Sequence, residues 1–261
     1  STLAEEIARR SRDKARVWST EEDERVGSLD FSRVQLRRIF SRGSLEKGGR
    51  FYGGWWQQIG GDNRSRIRLD GRRTIEIDYS GLHIVLLYAR IGINYFVEYG
   101  FKSDPYEINL SAINDLDLKR WLAKNTLLMA VNAVDEETTV RAVRHKARES
   151  EITAEGLSLT DQLLKEILDQ LKAKHPRISD WLCSGAGIDL QYTDSQVTQQ
   201  IIEYFTSIDV PVLCIHDSYV IDEDYADALH KQMLLAWDNV TALHGTHRDF
   251  LDSLSPQETR V

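Results

Sequence analysis

Cysteine is scarce: the 261-residue chain has two, Cys183 and Cys214. Two are too few for a disulfide framework and lack the spacing of a zinc site, so a disulfide-stapled secreted domain and a zinc ribbon are both excluded. A reducing, cytoplasmic setting is the expected compartment. No apolar run approaches the roughly 18 residues that a membrane span needs, and no signal-peptide pattern opens the chain. The first residues, Ser1-Thr2-Leu3, lack a methionine, as a processed or excised product would. Internal repeats and low-complexity tracts are missing too. A basic excess is also lacking: 33 Lys and Arg stand against 41 Asp and Glu, a net charge of −8, which argues against nucleic-acid binding by net charge alone.

What is present is the composition of a globular protein, 41% hydrophobic and 28% charged, enough for one substantial core or two small ones. The charge is unevenly spread. Residues 1–73 hold 17 Lys and Arg against 11 Asp and Glu, a balance of +6, and the remainder stands at −14. Arg33, Arg37, Arg38, Arg42, Lys47, Arg50, Arg64, Arg66, Arg68, Arg72 and Arg73 could hold a polyanion, or they could be a solvated face. Charge leaves both readings open.

Along the chain, residues 3–16 and 29–42 read as helices joined by an acidic linker, forming a basic N-terminal arm over 1–45. A glycine- and aromatic-rich stretch follows from Gly43 to Gly61, in which Trp55 and Trp56 read as core. Arg66–Asp70 and Thr74–Tyr79 read as extended segments around a turn at Gly71. Ile84–Ile91, Leu116–Val134 and Thr160–Lys172 read as helices, the last capped by Thr160 and stopped by His175-Pro176. Val197 to Ile208 marks another helical face, Val210–Ile215 and Ser218–Ile221 a strand pair, and Asp224–Trp237 a final helix. His244 and His247 read as tail surface, and both cysteines as buried thiols. The expected fold class is α+β, with helices around a small antiparallel sheet.

Two carboxylates stand out. Asp78 ends the alternating run Ile75-Glu76-Ile77-Asp78, and Asp217 sits at the tip of an apolar hairpin whose turn, His216-Asp217, has no glycine. Hairpins of this length normally turn through Asn-Gly or Asp-Gly. If the two strands are neighbours, both carboxylates emerge at one sheet edge, where each raises the pKa of the other unless a cation lies between them. Mg²⁺ suits that place, because it takes one or two carboxylates plus substrate phosphates, and a pair of such ions supports in-line phosphoryl displacement. Equally, a turn aspartate and a strand-end aspartate need never meet. On the helix starting at Leu116, Arg120, Lys124, Leu128 and Asn132 recur every fourth residue, a fork and a point charge on adjacent turns that suit a triphosphate or form a solvated face.

Three ordered segments resemble the motifs of family A DNA polymerases and phage-type single-subunit RNA polymerases. Asp78-Tyr79-Ser80-Gly81-Leu82-His83 resembles motif A. Arg120, Lys124, Leu128 and Asn132 at their four-residue spacing resemble motif B. Ile215-His216-Asp217-Ser218-Tyr219 resembles motif C. Leu190-Gln191-Tyr192-Thr193-Asp194-Ser195 is similar to the glutamine-bearing segment upstream of motif C, and Gly49-Arg50-Phe51-Tyr52 to a template-touching element. The resemblance covers residues 49–221.

It implies an antiparallel palm sheet within residues 46–261, with a small helical fingers subdomain inserted at about 104–180 and the arm serving as a partial thumb. Asp78 and Asp217 would be catalytic and would ligate two Mg²⁺ ions, Mn²⁺ being able to substitute, with the Tyr79 backbone carbonyl as a further ligand. Arg120 and Lys124 would grip the nucleoside triphosphate, Lys124 also assisting pyrophosphate departure. His216 would lie near the primer end, and Arg50 and Gln191 would contact template and primer strands. The families carry Glu or Gly where this chain has His83, and an aromatic residue where it has Asn132, so a His83–Asn132 hydrogen bond is expected in the nucleotide site in place of Glu–Tyr. The implied activity is template-directed nucleotidyl transfer, leaning to DNA synthesis, with RNA polymerase or primase activity the alternative. Without an exonuclease or a full thumb, an accessory protein or additional domain is expected for processivity. A phosphohydrolase built on His216-Asp217 and a non-catalytic nucleic-acid-binding module are the competing classes.

Overall fold

The computed structural model describes residues 29–79, 81–100, 103–150 and 158–242. The helix expected over 3–16, the first part of the arm, and His244 and His247 lie outside the described residues. In chain order the elements are strands β1 (Arg37–Ser41) and β2 (Ser44–Tyr52), a short helix α1 (Gly61–Arg64), strands β3 (Arg68–Leu69) and β4 (Arg72–Asp78), and helices α2 (Leu82–Arg90) and α3 (Tyr95–Tyr99). Helices α4 (Leu116–Asn132), α5 (Glu136–Glu149), α6 (Asp161–Lys174) and α7 (Gly187–Ser207) follow, then strands β5 (Val212–Ile215) and β6 (Ser218–Asp222) and helix α8 (Ala226–Thr241). Helices and antiparallel sheets are therefore mixed, as an α+β chain requires. None of the described helices is long and apolar enough to cross a membrane.

The chain divides into two compact units. One comprises the described residues up to Leu82 together with those from Gln191 onward, and the other is His83–Leu190. The insertion expected at about 104–180 lies inside the second.

In the first unit β3, β4, β6 and β5 form, in that order, an antiparallel sheet. The alternation in β4 decides its two faces. Ile77 lies opposite Tyr219, and both are buried. Tyr219 meets the Thr198 hydroxyl on α7 at 2.9 Å. Glu76, on the other face, accepts a bidentate pair of hydrogen bonds from Arg64, each 2.9 Å, and one from the Ser218 hydroxyl at 2.8 Å. Val220 and Leu213 pack there with Trp55 and Trp56. The Trp56 indole N–H donates to the Cys214 carbonyl at 2.9 Å, so both tryptophans are core, as expected. Cys214 is buried, whereas Cys183 is only half-buried, beside the Thr139 hydroxyl.

The helix expected over 29–42 is not formed. Residues 37–41 are a strand paired with β2, turning through Arg42-Gly43 with φ of 54° and 64°, the two left-handed residues of a type I′ hairpin. Cross-strand pairing and the Arg38 side chain override the local helical pattern. Arg38 donates to the Gly49 carbonyl at 2.8 Å, Gln199 Oε1 at 2.6 Å and the Ser195 hydroxyl at 2.8 Å.

In the second unit α4, α5 and α6 pack around Leu122, Leu127, Val140, Val143, Leu164, Ile167 and Leu168, all buried, each side chain contributing about 1.5–3 kcal/mol by leaving water. Asp115, Asp135 and Thr160 cap the three helices through the N–H groups of Leu118 (3.0 Å), Thr138 (2.7 Å) and Leu163 (3.2 Å). Such caps are worth about 1 kcal/mol each. His175, just past α6, is 1% exposed. Its Nε2 lies 2.9 Å from the Pro105 carbonyl and its Nδ1 3.1 Å from the Tyr88 hydroxyl. A carbonyl only accepts, so Nε2 carries the hydrogen and Nδ1 accepts.

Burial pulls the His175 pKa below its ordinary value, with the Pro105 hydrogen bond opposing. Because the folded value is depressed, the stabilisation is present above the unfolded pKa of about 6.5 and is lost as pH falls below it. His175→Gln is accordingly expected to lose less unfolding free energy between about pH 7 and pH 5 than the unchanged chain. Urea unfolding at the two pH values checks this, and equal losses would remove His175 from the account.

Candidate active site

β4 and β6 are neighbours, and their register sets Asp78 opposite Ser218. One step further the Tyr79 N–H donates to the Asp217 carbonyl at 3.1 Å. The two aspartates, far apart in the chain, therefore lie at the same end of two adjacent central strands. Asp78 is exposed and Asp217 half-buried.

The Tyr79 ring is 2% exposed, and its hydroxyl donates to the Met233 carbonyl on α8 at 2.6 Å. Burial, with the charges of Asp194 and Asp238, raises its pKa well above the ordinary value. The phenol is thus an anchor, and what Tyr79 brings to the strand end is its backbone.

The tight turn between β5 and β6 is His216-Asp217, and the left-handed conformation falls on His216, at φ 58°. Histidine is among the few non-glycine types enriched there. The turn is held from two sides. The Thr198 hydroxyl donates to the His216 carbonyl at 3.0 Å, and the imidazole meets the Tyr52 ring edge-on, centroids 5.2 Å apart. His216 Nδ1 is buried and makes no hydrogen bond to the described residues. Burial first, then the nearby Arg50 charge, pushes the His216 pKa down to about 4, so the ring is neutral at neutral pH.

A second carboxylate interacts with the turn residue Asp217. Asp194 on α7 is 1% exposed and pairs with Arg50 Nε at 2.6 Å. Burial pushes its pKa up to about 6; Arg50 pulls it down, and the charge of Asp217 pushes it up again. Asp217 therefore sits within electrostatic reach of a second, buried carboxylate. Its signal in the sequence is weak, because Asp194 lies just upstream of the helical face expected from Val197. Arg50, expected to touch nucleic acid, has a side chain only 13% exposed and committed to Asp194. Gln191 is half-buried, in the second turn of α7.

The remaining expected residues belong to the second unit. Arg120 donates from Nε to Asp104 at 2.7 Å, and its guanidinium lies 5.4 Å from the centre of the Tyr106 ring. Lys124, one turn on, is exposed, and His83 is half-buried at the start of α2. The expected His83–Asn132 hydrogen bond is not made by Asn132, whose amide donates to the Leu128 carbonyl one turn back at 2.7 Å. Gly187 leaves no room for a Cβ beside Asn132, which fixes that side chain at the end of α4.

The donors at the sheet end are hard oxygens: two carboxylates and backbone carbonyls. Among the described residues no group of three or more His, Cys, Asp or Glu is arranged to hold a metal by itself. An ion there would complete its shell from phosphate and water, the habit of Mg²⁺ rather than of zinc. In the same unit, a cavity of about 500 Å³ lined by Val34, Phe51, Trp56, Ile202 and Val210 holds no carboxylate and suits none of this chemistry. No protein-family model matches the chain, and no curated protein matches it.

Proposed function

We propose that the chain is a divalent-metal-dependent, template-directed nucleotidyltransferase that extends a nucleic-acid strand from nucleoside triphosphates. The observation that carries this reading is the pairing of β4 with β6, which brings Asp78 and Asp217 to one strand end. Asp78 and Asp217 would hold Mg²⁺, which when bound favours the attacking alkoxide and neutralises charge on the phosphoryl oxygens. The protein has little covalent chemistry to perform, because positioning and electrostatics carry phosphoryl transfer.

The buried phenol of Tyr79 fixes the backbone beside Asp78, and Thr198 and Tyr52 fix the turn that carries Asp217. His216, neutral, adds no positive charge next to the ion site. Arg120 and Lys124 would bind the phosphates of the incoming nucleotide. Asp78-Tyr79-Ser80 and Gln191 favour DNA as the product, and RNA or primer synthesis is the alternative of the same class.

Primer–template extension with Mg²⁺, run with deoxyribonucleotides and with ribonucleotides, tests the proposal. The expected result is primer lengthening in the deoxyribonucleotide arm, a few residues per binding event without an accessory protein. Lengthening with ribonucleotides alone would move the product to RNA. Nucleotide cleavage without lengthening would favour the phosphohydrolase, and a mobility shift alone the binding module; either would overturn the proposal.

A further inference from the structure

Arg120 and Lys124 lie one turn apart on α4, and their immediate surroundings are unequal. Lys124 is exposed and has no partner among the described residues. Arg120, 54% exposed along its side chain, is held by two groups of one short segment, Asp104-Pro105-Tyr106. Asp104 Oδ2 accepts from Nε at 2.7 Å, and the Tyr106 ring lies 5.4 Å from the guanidinium carbon. That segment is itself fixed. Asp104 Oδ1 accepts from the Tyr106 N–H at 3.0 Å, the Pro105 carbonyl accepts from the buried His175 at 2.9 Å, and Tyr106 is 5% exposed.

The choice of nitrogen matters. An arginine that gives both Nε and a terminal nitrogen to a carboxylate keeps fewer donors for a ligand. Here Nε alone is engaged, and the two terminal nitrogens make no hydrogen bond to the described residues. Nε is anchored, the guanidinium lies over the Tyr106 ring, and the terminal pair remains for a second oxyanion. Lys124 places a point charge about 6 Å further along the helix axis. A fork and a point charge at that interval match a polyphosphate chain better than a single carboxylate.

We propose that Asp104 is a positioning residue for an anion site formed by Arg120 and Lys124, and that the ligand class is the polyphosphate of a nucleotide. The choice of nucleotide rests on the nucleotidyltransferase reading; the anion site does not. Two effects of Asp104 oppose one another. Its negative charge weakens attraction for phosphate, and its hydrogen bond orients the guanidinium. At an exposed site water weakens that repulsion, and we take orientation to outweigh it.

The two effects separate by substitution. Asparagine keeps an acceptor oxygen and removes the charge; alanine removes both. Binding of inorganic tripolyphosphate to the full chain, followed by calorimetry with neither template nor metal, is the probe. Asp104→Ala is expected to weaken binding about threefold to fivefold, the range that an exposed ion pair contributes, and Asp104→Asn by about twofold or less. Arg120→Lys, which keeps the charge without the fork, is expected to bind as weakly as Asp104→Ala. In extension assays Asp104→Ala should raise KM for the nucleotide and leave kcat nearly unchanged. Thermal unfolding of each variant identifies any that fails to fold, and Arg120→Lys then carries the test.

Tighter or unchanged binding in Asp104→Ala would overturn the proposal, since Asp104 would then only shield the site. The predicted ranking of variants in a chain that lengthens no primer would uphold the anion site and sink the polymerase reading. An unchanged KM in Asp104→Ala, in a chain that does extend primers, would sink the positioning role alone.

Discussion

Alanine at Asp78 or at Asp217 is expected to lower the rate of strand extension by about 10³-fold or more, on the order of 4 kcal/mol in the barrier, while leaving the fold intact. An ion held by two carboxylates and substrate oxygens loses half of its fixed protein charge when one carboxylate goes, and water fills the place without restoring that charge. Neither side chain belongs to the buried core: Asp78 is exposed and Asp217 half-buried. The charge of Asp217 raises the pKa of the buried Asp194, so its removal should ease the ionisation of Asp194. Loss of activity with the fold kept is the pattern of a residue retained for chemistry. Steady-state extension rates, urea unfolding and Mn²⁺ binding by electron paramagnetic resonance check the three parts. A variant that keeps activity within tenfold of the unchanged chain would remove its aspartate from the site.

Elements with strong local signals were legible in the sequence. Thr160 caps α6, Asp70-Gly71 turns β3 into β4, with φ of 54° and 82°, and the apolar runs on either side of His216-Asp217 form β5 and β6. Each depends on residues within a few positions of one another. What escaped depends on partners far away in the chain. β1 reads as helix until Ser44–Tyr52 pairs with it, and Asp194, upstream of the helical face expected from Val197, gains its role only when Arg50 reaches it from β2. Helix α5 is weakly marked in the sequence because its charged exposed face hides a narrow apolar stripe, Val140, Val143 and Ala147, although Asp135 followed by Glu136 and Glu137 is a recognisable start. For the site, a motif supplied Asp78 and Asp217 as candidates; it could not say that Tyr79 turns its phenol into the core, or that Asn132 bonds its own helix.

Removal of Arg50 is expected to cost about 3–5 kcal/mol of folding stability near pH 8, the usual result of stripping one partner from a buried ion pair. Asp194 is 1% exposed, so once the guanidinium is gone its charge has neither water nor a counter-ion. The carboxyl escapes by taking up a proton, which makes the cost depend on pH. In the intact chain burial already raises the pKa to about 6 against the pull of Arg50, and without that pull it must rise further. A folded value above the unfolded one of about 3.9 means that the contribution is fully present below that pH and is lost as pH rises through the folded value. Arg50→Ala should therefore be less destabilised near pH 5, where Asp194 is protonated, than near pH 8. Adding Asp194→Asn should recover part of the loss and flatten the difference, because the amide carries no charge to strand. Urea unfolding of the two single variants and the double variant at both pH values closes the cycle. A loss below about 1 kcal/mol in Arg50→Ala at the higher pH would mean that Asp194 finds another cation or water. Helix α7 would then not hold β2 against the His216-Asp217 turn by charge, and the nucleic-acid contact expected of Arg50 from the sequence would regain support.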